Sequence, residues 1–213
     1  MRPIVTTVGP LVASATTAIA LSQTPPAGLL TLNGALVVGG VAILDVARTV
    51  LFSSTGNNSN TTFTITGTNW AGDTISENLV GASGGTATTL LSYKTVTSIS
   101  SSTASAAGLT VGTGTTASSP WVRLDSWAMA QTSIQANAFG TVNYTVQQTL
   151  DDPNSATNPV VVSNMTWINH PDLALVSATS SIQSNYAYPP IFARVVLNSG
   201  TGSVVTTFSQ LDG

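Results

Sequence analysis

Cysteine is absent from this 213-residue chain, so disulfides and thiolate metal sites are excluded and the redox compartment cannot be read. Charge is scarce. Asp, Glu, Lys and Arg make up 6% of the residues, against roughly 25% in an ordinary soluble domain. The five basic residues, Arg2, Arg48, Lys94, Arg123 and Arg194, are scattered. No patch can neutralise a phosphate backbone, and direct nucleic-acid binding is not expected. No apolar run reaches the length of a membrane span. The nearest, Ala35 to Leu44, is short and split by Gly39-Gly40, so no membrane partner is expected. Val8 to Ala20 follows Arg2 but is interrupted by Pro10, Ser14, Thr16 and Thr17, and it reads as a strand or extended arm rather than a cleaved signal.

What the chain has instead is apolar residues at 42%, with Thr and Ser filling the place of charge. The mean hydropathy of +0.31 argues against disorder. Thr suits a pleated backbone because of its branched β-carbon. Helical periodicity is nearly missing; residues 128–136 are the best helical candidate and read equally well as a strand. Short strand candidates recur between Gly, Asn and Asp turns. Thr61 to Asn69 alternates, and Ala71-Gly72-Asp73 turns it into Thr74 to Val80 as a hairpin. Leu90 to Ser100, Val142 to Leu150, Phe192 to Leu197 and Val204 to Gln210 read as further strands.

This pattern predicts an all-β, antiparallel β-sandwich protein, Ig-like or jelly-roll-like. Residues 1–28 are expected as an extended N-terminal arm ending in Thr24-Pro25-Pro26-Ala27-Gly28, because paired prolines cannot sit in a central strand. Residues 29–115 form a first sandwich and residues 116–213 a second, jelly-roll-like one, with the small polar stretch 112–119 as linker. One continuous sandwich is the competing organisation.

Catalytic constellations are hard to assemble from this sequence. A Ser–His–Asp arrangement would need His170, the single histidine, with Asp172 nearby; the nucleophile-elbow motif is missing and Pro171 follows directly. His170 reads as a loop residue or as a side chain hydrogen-bonded near Trp167. Asp151-Asp152 is the only acidic doublet, and Asp-Asp-Pro-Asn has the character of a turn, with a loop calcium site as its rival. Gly112-Thr-Gly114 lacks the lysine and helix of a phosphate cradle. The chain is therefore expected not to be an enzyme, with no catalytic, cofactor-binding or metal-binding residues and no cofactor.

Several segments together resemble uncharacterised virion proteins of tailed phages and prophages. They are Phe63-Thr-Ile-Thr-Gly-Thr-Asn69 leading to Gly72-Asp-Thr-Ile-Ser-Glu77, Tyr93 to Ile99, Leu109 to Gly112, Gly140 to Gln147 with Asp151-Asp152-Pro153, Trp167 to Asp172, and Ala193 to Ser203. The resemblance implies a virion component, either a capsid decoration (cement) protein or a neck or tail protein, and carries over no catalytic residue. Scarce charge fits the same idea, since uncharged polar faces are buried against partners at little cost. The expected partners are the major capsid protein or neck and tail proteins, with self-association as a trimer or higher oligomer. Decoration of the head is preferred. Pro25 and Pro26 in the arm, and Tyr186, Tyr188, Pro189 and Pro190 in a segment read as an exposed loop, are the interface candidates. The rival reading is a carbohydrate-binding module for host attachment, which would need an exposed row of aromatics drawn from Trp121, Trp127, Trp167 and Tyr144.

Overall fold

A computed structural model describes residues 3–125 and 131–211. Its strands in chain order are β1 (Ile4–Val8), β2 (Ala20–Gln23), β3 (Gly28–Leu29), β4 (Val37–Val38), β5 (Val41–Asn57), β6 (Thr62–Thr68), β7 (Thr74–Val80), β8 (Ser83–Thr88), β9 (Tyr93–Ser101), β10 (Leu109–Ser118), β11 (Val122–Arg123), β12 (Gln131–Phe139), β13 (Val142–Thr149), β14 (Ile168–Asn169), β15 (Ile182–Tyr186), β16 (Phe192–Gly200) and β17 (Ser203–Leu211). The protein is all-β, with antiparallel sheets packed as a sandwich. Among the described residues helix is confined to two 3-10 turns, Val162–Asn164 and Leu173–Leu175. Of the helical candidate 128–136, residues 131–136 are strand and 128–130 lie outside the described residues, as does Trp127.

The chain divides into two compact units. Residues 12–115 form one, called here the insert unit, and residues 1–11 with 116–213 form the other, the split unit. The boundary falls inside β10.

In the insert unit the order β10–β5–β9–β6–β7 forms the main sheet, with β2 on β10, β3 on β9, and β4 and β8 on β5. β5 is one long strand. Register shifts at 43/48 and 54/57 let its first part pair with β9 and its later part with β8. Bulges bend a strand and sharpen its twist, which allows one strand to serve two neighbours. The bend closes a core of Leu44, Val50, Phe52, Phe63, Ile65, Tyr93, Val96, Ile99 and Val111, in which Phe52 stacks on Phe63 at 4.9 Å.

In the split unit β1–β17–β12–β15 form a four-stranded sheet, and β14, β13 and β16, with β11 and the end of β10 on β16, form the second. Period-two alternation turns Val204, Thr206, Phe208 and Gln210 of β17, and Ala193, Val195 and Leu197 of β16, inward.

The N-terminal 28 residues are not a free arm. β1 is an edge strand of the split unit, paired along β17 with Thr6 and Val8 buried. Residues 12–28 belong to the insert unit, where the Ile19 N–H donates to Val111 O at 2.9 Å and the Thr113 N–H to Ala15 O at 3.1 Å. The sequence disguised this because the inward residues of β1 include a Thr. Residues 112–118 of the expected linker 112–119 are likewise part of β10. Its glycines serve close approach: a Cβ on Gly112 would overlap the backbone of Ala15 and Thr16, and one on Gly114 would overlap Thr49.

Candidate interaction surfaces

Four of the six expected interface residues are at least partly covered within the chain. Pro25 is buried and its carbonyl accepts from the Ser105 N–H at 3.0 Å, whereas Pro26 is exposed. Tyr186 does not lie in an exposed loop. It is the inward last residue of edge strand β15, 4% exposed, with its ring 4.4 Å from that of His170. Ile182, Ser184 and Tyr186 share one face, an alternation hidden in the sequence by the polar residues between them. Pro190 is buried and Pro189 half-buried, while Tyr188 is 54% exposed. Pro26 and Tyr188 are therefore the best exposed of the six.

The histidine is built into the core. His170 is 1% exposed, and its Nδ1 accepts from the Asp172 N–H at 3.0 Å. Asp172 does not orient the ring. Its Oδ1 accepts from the Ala174 N–H at 3.0 Å and its Oδ2 from the Ser184 hydroxyl at 2.7 Å, capping the turn Leu173–Leu175. Nε2 of His170 and the Tyr186 hydroxyl are buried without a partner among the described residues. Burial lowers the imidazole pKa, against the opposing pull of the Asp172 carboxylate. The acidic doublet is a turn: Asp151 Oδ2 accepts from the Thr166 N–H at 2.6 Å, and Asp152 accepts from the Asn154 N–H at 2.9 Å and pairs with Arg123 at 2.8 Å. Among the described residues no three His, Asp or Glu side chains gather to hold a metal ion, and no helix is long and apolar enough to cross a membrane.

Three surfaces stand out. On the four-stranded sheet of the split unit, none of β1, β12, β15 and β17 contains an Asp, Glu, Lys or Arg. Its outer face carries cross-strand rows such as Val5–Thr207–Gln135–Gln183 and Ser209–Ser133–Asn185. Edge strands in free proteins are ordinarily blunted by charge. β1 and β15, the two edges, have none.

The second surface is the run Ala35 to Leu44, which folds into a hairpin. Val37 pairs with Ala42 and Val38 with Val41 around Gly39-Gly40, both at positive φ as a tight two-residue turn requires. Ala42 faces the core. Leu36, Val38, Val41 and Ile43 share the other face, with Val38 68% and Ile43 48% exposed. Beside it lies a groove of about 200 Å³, lined by Ala13, Ala15, Ala18, Ala35 and Leu36 and bounded also by the Asp45–Arg48 pair and Thr113. Ala35–Val38 and Val41–Leu44 also read as strand candidates in the sequence, but nothing local marks the face they leave exposed.

The third surface lies on the outer side of β13 and β16. Trp121 meets Trp167 at 5.0 Å, inclined 57°, and Phe192 edge-on at 6.1 Å. Arg194 lies 4.1 Å over the Trp167 ring and Arg123 lies 5.4 Å over that of Phe192. The rings are mutually tilted, so they do not form the flat exposed row that stacking on a sugar would need.

No family model, curated protein or solved structure matches the chain.

Proposed function

We propose that the protein is a structural component of a tailed-phage virion, a capsid decoration or cement protein that stabilises the head through subunit–subunit contacts. A neck or tail position is the alternative within the same class. The observation that carries the reading is the charge-free four-stranded sheet with two unguarded edges. Such a sheet is a liability for a protein that must stay apart from its copies and an advantage for one that packs against them. The exposed hairpin face of Leu36, Val38, Val41 and Ile43 supports the same reading, because exposed contiguous apolar faces mark association sites. Repetition over a symmetric shell multiplies weak contacts of this kind.

The test is sedimentation and light scattering of the purified chain, followed by incubation with phage heads and tails. A closed oligomer, trimer or higher, that coats heads at fixed stoichiometry is the expected result. A chain that stays monomeric at high concentration and ignores both heads and tails refutes the proposal. Binding to tails alone transfers it to the neck or tail alternative.

A further inference from the structure

We propose that Arg194 is an anion socket that receives a carboxylate from a partner protein seated on the outer face of β13 and β16. This rests on the assembly reading above and names the chemistry that the partner must bring. A guanidinium has five N–H donors and no acceptor. Nε and Nη2 of Arg194 both donate to the Gln147 side-chain oxygen, at 3.0 and 2.8 Å. Gln147 donates its own Nε2–H to Asn169 Oδ1 at 3.1 Å, which turns the amide oxygen toward Arg194. Trp167 covers one face of the group at 4.1 Å. The guanidinium is thereby fixed in place, while Nη1 and the second Nη2 hydrogen have no partner among the described residues.

The neighbouring cation is treated differently. Arg123, on the same outer face, is neutralised by Asp152 at 2.8 Å. Arg194 has no carboxylate within ion-pair distance among the described residues, although it is half-buried. Burial draws its pKa down to about 9, which still leaves it protonated at neutral pH. A desolvated, immobile cation without a counter-charge gains most from an incoming carboxylate, whose two oxygens match the open Nη1/Nη2 end of the fork. Around it stand Trp121, Trp167, Phe192 and Val196, apolar side chains of the sort that surround the energetic centre of a protein interface. The tilted rings favour an acidic side chain of a protein over a sugar acid.

The experiment titrates the full chain with an end-blocked hexaglutamate peptide, with hexaglutamine and with glucuronate, following the Arg194 Nε–H and Trp167 indole N–H signals by NMR. Hexaglutamate is expected to shift both saturably, less so in high salt, and hexaglutamine to leave them still. R194Q should abolish the shift of the Trp167 signal, and R194K should weaken binding about tenfold, because lysine keeps the charge and loses the fork. If R194Q does not fold, R194K decides the matter. No saturable shift at millimolar hexaglutamate, an equal response to hexaglutamine, or a response to glucuronate alone overturns the socket. A chain that forms oligomers or coats heads while these signals stay silent refutes only the socket. A solitary chain that still binds hexaglutamate refutes only the assembly reading.

Discussion

Acidification from about pH 7 to pH 5 should loosen the split unit through His170 alone. The unfolded chain takes up a proton near the ordinary histidine value of 6.5, whereas burial holds the folded imidazole below it. A group with a depressed folded pKa of this cationic kind leaves stability intact at high pH and removes it as pH falls below the unfolded value, until the folded pKa is reached. The limiting slope is about 1.4 kcal/mol per pH unit, so the loss at pH 5 is bounded at about 2 kcal/mol. Geometry gives the reason. The ring is 1% exposed and packs on Tyr186 at 4.4 Å, so a charged imidazolium would lose its water, and Nδ1 already accepts from the Asp172 N–H at 3.0 Å. The chain has one histidine, so no other imidazole can imitate the effect. The acids act in a lower window. Burial opposes ionisation of Asp45, but the Val12 N–H and Arg48 outweigh it and hold its carboxyl below 3.8, so its contribution persists above that value and fades beneath it. Urea unfolding at a series of pH values, with hydrogen exchange of the β12 and β17 amides as the local reporter, measures the slope. H170Q, which keeps an acceptor and cannot titrate, should flatten it. An unchanged slope in H170Q would refute the reasoning.

Further outcomes test other parts of the structure. R48A should destabilise the insert unit by about 3 kcal/mol in urea unfolding, because Arg48 is 1% exposed, pairs with Asp45 at 3.1 Å, and donates to the carbonyls of Val12 and Gly114. The figure sits at the low end for a broken buried pair because Asp45 keeps part of its carboxylate in water. G112V should cost about 3 kcal/mol and raise hydrogen exchange at Ile19 and Thr113, since the added side chain displaces residues 15 and 16 from β10. The double variant V38T/I43T should leave stability within about 0.5 kcal/mol, both side chains being about half exposed or more, and lower the self-association seen by sedimentation.

Much of this protein was decided by local chemistry that a linear reading can follow. Abundant Thr and Val, Gly-Asn-Asp turns and the lack of helical periodicity led directly to antiparallel strands; the hairpin of β6 and β7 around Gly72 is one example. The scarcity of charge was equally plain, and with it the expectation of broad uncharged faces. Other features depend on partners distant in sequence. β1 looked like an arm because its place is set by β17, some two hundred residues later, and no local signal marks such a pairing. Stretch 112–119 looked like a flexible linker because small residues signal both looseness and close packing, and only the backbone of residues 15 and 16 lying on Gly112 tells the two apart. Tyr186 looked exposed beside two prolines until His170 closed over it. Arg194 was one of five scattered cations; its lack of a carboxylate partner among the described residues and its place over Trp167 arise from the pairing of β13, β14 and β16. Strand propensity is a property of single residues and short windows. Which face is buried, and which charge is left unpaired, is a property of residues that meet only when the chain folds.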